Sequence, residues 1–172
     1  PAESRFVRHW RSLRNFVRDF DGAGTADLSL ELHKSPGGDI RFVGGQMRPR
    51  GASARYIHFP YRIFNMTGTV RFLADGTETI DLRGLHGGSV ITFTGWEGGF
   101  KTQGGGLRIR AYGVPLDDDL RRCLALEERR LCERFGLQAL MDLDIHLTRT
   151  EAPPGTPDNP WKTVIDVAFR EG

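Results

Sequence analysis

Long apolar runs are missing from this 172-residue chain. No window approaches the stretch of about 18 apolar residues that a membrane-spanning helix needs. The N terminus lacks the charged, apolar and small-residue order of a secretory signal. The chain opens on Pro1 rather than Met, and the expectation is a segment of a longer protein whose targeting signals lie elsewhere. Charge of one sign is also missing: 24 Lys and Arg stand against 22 Asp and Glu, a formal net charge of +2. That balance argues against a dedicated polyanion binder. What asymmetry exists runs along the chain, since residues 1–72 carry 12 basic and 6 acidic groups and residues 73–172 carry 12 and 16.

Cysteine is scarce, with Cys123 and Cys132 the only two. Read as parts of one helix, they fall on opposite faces about 13 Å apart along the axis, too far for a disulfide. Chemistry-bearing signatures are absent too. His9, His33, His58, His86 and His146 show no metal-ligand spacing, and no nucleophile elbow appears. The Gly87-Gly88 and Gly104-Gly105-Gly106 runs precede no helix carrying a Lys-Ser/Thr pair, so they read as hairpin turns and not phosphate loops. The chain is read as a non-enzyme, with no metal and no cofactor.

What is present is alternation. Leu28, Leu30 and Leu32 face one way while Asp27, Ser29 and Glu31 face the other, the pattern of a half-wet strand. Met141, Leu143, Ile145 and Leu147 repeat it against Asp142, Asp144 and His146. Further strands are predicted over 39–47, 63–72, 77–85, 89–96, 107–113 and 161–169. Their connections are rich in turn residues such as Ser35-Pro36-Gly37-Gly38 and Asp75-Gly76. Successive strands with short links favour an antiparallel meander.

Two amphipathic helices are predicted. Over 5–20, Phe6, Trp10, Leu13, Val17 and Phe20 form an apolar stripe, and Arg8, Arg11, Arg14 and Arg18 the opposite face. That arginine face is a solvated surface or a contact for anionic lipid headgroups. Nucleic acid is not expected, because the aromatic residues belong to the apolar stripe. Over 117–135, Asp117-Asp118-Asp119 supply an N-cap and two carboxylates for the first turn. Leu120, Leu124 and Leu131 follow as a stripe that Glu127 interrupts. The two helix–strand units match by pattern at an offset of about 115 residues, with 24–32 aligned on 139–147, which reads as an internal repeat. The first repeat would end near 60, giving segments 1–60 and 61–172 or one continuous domain.

Phe59-Pro60-Tyr61 with Asn65-Met66-Thr67-Gly68-Thr69-Val70 resembles the strand entry of AsmA-like proteins, the family of TamB-type envelope proteins. So do Leu82-Arg83-Gly84-Leu85-His86-Gly87-Gly88 and the passage from Leu107 through Pro115-Leu116-Asp117 into a helix. Glu127 departs from the family's apolar helix position. The resemblance implies a mostly β (α+β) fold, a strongly curved antiparallel sheet forming an open groove with two amphipathic helices. It implies bridge-like transfer of phospholipid acyl chains between membranes. The partners implied are lipid, neighbouring repeats of the parent chain and the membranes at its ends. The location implied is periplasmic, in the cell envelope, with an inner-membrane anchor outside this segment. A single layer with one dry face must hide that face, at about 25 cal/mol per Å². The expected lining is Leu28, Leu30, Leu32, Leu107, Ile109, Met141, Leu143, Ile145 and Leu147, although ordinary core packing is open to each. The rival readings are a closed calycin-like barrel holding one small apolar ligand, and a purely structural or adhesive β-repeat.

Overall fold

A computed structural model describes residues 21–38, 40–56, 59–98, 104–124, 126–135, 139–149 and 162–170. The helix expected over 5–20, with Arg8, Arg11, Arg14 and Arg18, and the Pro-rich loop at 151–160 lie outside them. The strands are β1 (Ala26–Lys34), β2 (Ile40–Pro49), β3 (Ala52–Tyr56), β4 (Phe59–Leu73), β5 (Glu78–His86), β6 (Ser89–Glu97), β7 (Gly105–Pro115), β8 (Leu140–Arg149) and β9 (Lys162–Arg170). Two short helices, α1 (Asp118–Cys123) and α2 (Leu126–Phe135), sit between β7 and β8.

All nine strands belong to one open antiparallel sheet in the order β1-β2-β4-β5-β6-β7-β8-β9, with β3 also on β4. The meander expected from short connections is what forms. The fifteen residues of β4 are long enough to take two neighbours on one side. Its lower half pairs with β2 (Met47 opposite Val70) and its upper half with β3 (Ala52 opposite Met66). β2 and β3 are thus one strand interrupted at Arg50-Gly51. Sequence reading missed β3, because Ala-Ser-Ala-Arg-Tyr has neither alternation nor a bulky β-branched residue. The sheet passes through position 60 unbroken, since β4 itself straddles it.

Irregularities bend the strands. Register slips occur at Glu31/Leu32, within Phe64–Thr67 and within Ala111–Val114, and each adds a local kink and twist. Glycine allows two close approaches. A Cβ at Gly68 (φ +116°) would lie 2.2 Å from the Asp81 carbonyl oxygen, and one at Gly95 2.2 Å from that of Gly106. Any side chain there would enter a neighbouring strand's backbone.

Two expectations are corrected. The helix expected over 117–135 is broken: α1 ends at Leu124 in an extended conformation, and α2 starts afresh at Leu126. Arg129 stabilises the break by donating to the carbonyl oxygens of Arg121, Arg122 and Leu124 at 3.1, 3.0 and 3.4 Å. A cation is thereby set on the negative end of α1. Both described helices therefore come from this one stretch, and Cys123 and Cys132 stand on different helices as free thiols. The glycine run at 104–106 is not a turn, because Gly105 and Gly106 begin β7.

Candidate functional site: one apolar face

Directly opposed residues in an antiparallel pair point to the same side of the sheet, so the register assigns every side chain to a face. One row runs Leu28, Met47, Val70, Ile80, Gly95, Leu107, Leu147, Thr163. The next runs Gly68, Leu82, Phe93, Ile109, Ile145, Ile165, and above it come Gly84, Ile91, Ala111, Leu143, Val167. A predominantly apolar band therefore crosses the sheet, its first row reaching from Leu28 on β1 to Thr163 on β9. The nine residues singled out from sequence all lie on it, and the two strand stripes that suggested a repeat share it.

Their burial differs by position. At the β1 edge Leu28, Leu30 and Leu32 remain 46, 43 and 50% exposed, and at the β9 edge Ile165 and Phe169 remain 56 and 64% exposed. Leu107, Ile109, Leu143, Ile145 and Leu147 are half-buried. Met141 is different: it is buried opposite Val114, so it packs as ordinary core. Sequence reading missed the β9 contribution of Ile165, Val167 and Phe169, because Val164 and Ala168 at the intervening positions blur the alternation that β1 shows. It also missed the middle of the face (Met47, Val70, Ile80, Leu82, Phe93), which only the pairing register could join to the rest.

The two ends of this face are closed by different chemistry. At the lower end the row Leu30, Gly45, Phe72, Glu78, Glu97, Gly105, Arg149 turns charged from β5 onward, with Arg149 donating to Glu97 at 2.6 Å. At the upper end α1 lies over the sheet. Asp117 caps it, its side chain accepting from the Leu120 amide at 2.9 Å, as the Asp-rich sequence implied. Leu116 and Leu120 then join Tyr61, Ile63, Met66 and Val114 in the buried core. His86 sits beneath the start of the helix, stacked on Tyr61 with ring centroids 3.8 Å apart. Burial, with the charges of Asp117 and Asp119 adding to it, pushes the Tyr61 phenol far above its ordinary range. The same causes push the Cys123 thiol up, so it is not an activated nucleophile.

The opposite face is mostly polar, with Trp96 and Val164 among its exposed apolar residues. Arg108 grips Asp144 with two hydrogen bonds of 2.8 and 2.5 Å, and His146 and Arg110 flank the same carboxylate. The Arg108 hydrogen bonds, then the charges of Arg108, His146 and Arg110, hold the Asp144 carboxyl down at about 2 against the pull of desolvation. Arg170 pairs with Asp142, and Arg50 with Asp27 at 2.6 Å. Among the described residues no group of His, Cys, Asp and Glu is arranged to hold a metal ion, and no helix is long and apolar enough to cross a membrane. No family model, curated protein or solved structure matches the chain.

Proposed function

We propose that the chain is a segment of a bridge-like lipid-transfer protein of the AsmA-like, TamB-type class, holding or conducting phospholipid acyl chains along its apolar face. One observation carries this reading. Among the described residues the face runs from β1 to β9 and stays substantially exposed at both edges, so apolar surface remains there for an acyl chain to cover. Exposed contiguous apolar surface marks an interaction site, and the alternating polar face opposite keeps the other side wet. The action is passive, through Leu28, Leu30, Leu32, Leu107, Ile109, Leu143, Ile145 and Leu147, with no catalytic group. The setting that suits such a groove is the periplasmic envelope of a two-membrane cell, with the arginines of 5–20 at anionic headgroups and an anchor elsewhere in the parent protein.

Native mass spectrometry after gentle extraction tests the reading. Heterogeneous phospholipid adducts are expected. A single stoichiometric small ligand would favour a closed, calycin-like container instead, and a bare protein would leave a structural β-repeat.

A further inference from the structure

Trp96 stands on the polar face of the sheet, 48% exposed, among neighbours that leave its ring bare. The residues opposite it are Thr79 on β5 and Gly106 on β7. The same row continues to Arg71 on β4 in one direction, and to Thr148 and Lys162 in the other. A Cβ at Gly104 would lie 3.4 Å from the indole Cη2, and one at Gly106 3.7 Å from its Nε1. The long edge of the indole therefore runs along the start of β7, over two residues that have no side chain. Thr79 across the strand pair and Thr94 along the strand are both short. No side chain of the indole's size stands directly beside it, so its π surface is open to a flat ligand.

The polar groups around the ring are uncommitted. Among the described residues, the side chains of Trp96, Arg71, Thr79, Asp81, Thr94 and Thr148 make no hydrogen bond or ion pair, and all six are exposed. Thr79 is about 5 Å from Trp96, and Asp81, opposite Thr94, lies on the diagonal at about 7 Å. Arg71 is one strand further, about 10 Å away, within reach of its long side chain. The set offers an indole N–H, a guanidinium, three hydroxyls, and a carboxylate that only accepts. Arg108, the next cation on this face, is already held by Asp144.

That inventory selects a ligand. An acyl chain has no use for hydroxyls and a carboxylate. A nucleic acid strand would stack on the indole but would bring its phosphates toward Asp81, and the free charges nearest the ring, Arg71 and Asp81, cancel. A neutral sugar ring has an apolar C–H face to lay on an aromatic surface, and a rim of hydroxyls that both donate and accept. We propose that Trp96 and the polar side chains beside it form a binding site for a neutral oligosaccharide. The indole stacks under one pyranose ring, while Asp81, Thr79 and Arg71 hydrogen-bond the hydroxyls of that unit and the next. The site is on the other side of the sheet from the apolar face, and does not depend on what covers that face.

Calorimetric titration of the whole chain with maltohexaose, cellohexaose and chitohexaose tests the site, with single-stranded oligo(dT) as the rival ligand. At least one of the three saccharides should bind with a Kd of about 1 mM or tighter. Trp96→Ala should weaken that binding about tenfold or more, and Trp96→Tyr, which keeps an aromatic face, by about threefold or less. Asp81→Ala, at an exposed side chain that leaves the ring untouched, should weaken it about fivefold. Val164→Ser, an exposed change three strands away on the same face, should leave it as it was. Urea midpoints on each variant separate lost binding from lost folding. Failure of all three saccharides to bind, or binding that survives unchanged in Trp96→Ala or in Asp81→Ala, overturns the proposal. Oligo(dT) binding that needs Trp96, with no saccharide bound, overturns it as well and gives the platform to single-stranded nucleic acid.

Discussion

Leu30 on the sheet's apolar face and Leu120 on the buried side of α1 are the same side chain in two settings, with 43 and 2% of their surfaces exposed. Fully burying a leucine is worth about 2 kcal/mol. Leu30 has a little under half of that unrealised, leaving about 1 kcal/mol for an acyl chain to gain, equivalent to about fivefold in affinity. Leu30→Ser should therefore weaken binding of a single-chain lysophospholipid about fivefold, at a stability cost of about 1 kcal/mol or less. Leu120→Ala leaves a cavity under α1, and should cost about 2–5 kcal/mol of stability while changing affinity only through the folded fraction. Phe169→Ser, at the far edge, should behave like Leu30→Ser. Urea midpoints and equilibrium titration with the lipid give both quantities on each variant. The reasoning fails if Leu30→Ser, still folded, binds as the parent does, or if Leu120→Ala costs less than about 1 kcal/mol.

Gly95→Ala should destabilise by about 1–3 kcal/mol, because its methyl group would meet the Gly106 carbonyl at 2.2 Å. Gly88→Ala, with nothing within 4 Å of its added carbon, should stay within about 0.5 kcal/mol by the same urea measurement, and equal costs would refute the close approach. Asp144 sets an acid limit. Its carboxyl is held at about 2 in the fold against about 3.9 unfolded, so its stabilisation is complete above about pH 4 and is lost as pH falls toward 2. Stability followed from about pH 5 downward should decline less steeply through that window in Asp144→Asn than in the parent, and parallel curves would contradict the assignment.

The strands were legible because alternation is a local signal. The three leucines of β1 and the apolar set of β8 announce strands whatever they pair with, and Asp117 announces a helix start three residues before Leu120. What was not legible depended on contacts distant in sequence. Nothing local to Arg129 says that its guanidinium will turn back onto Arg121, Arg122 and Leu124 and let one expected helix become two. Met141 looked like its neighbours Leu143 and Ile145, yet it alone falls opposite Val114, where the core is sealed. His86 read as a residue in a glycine-rich turn. Only folding sets Tyr61 against its ring and the start of α1 above it.

Strand parity explains how two similar segments can serve one surface. β1 and β8 stand six places apart in a sheet whose neighbours all alternate in direction. An even displacement restores direction, so the aligned segments 24–32 and 139–147 run the same way. Cross-strand pairing through the rows between them puts Leu28, Leu30 and Leu32 on the same side as Leu143, Ile145 and Leu147. An odd count would have reversed the second copy and turned its entering helix toward the opposite end of the sheet. With six, the two segments present their dry faces and their polar faces in one orientation.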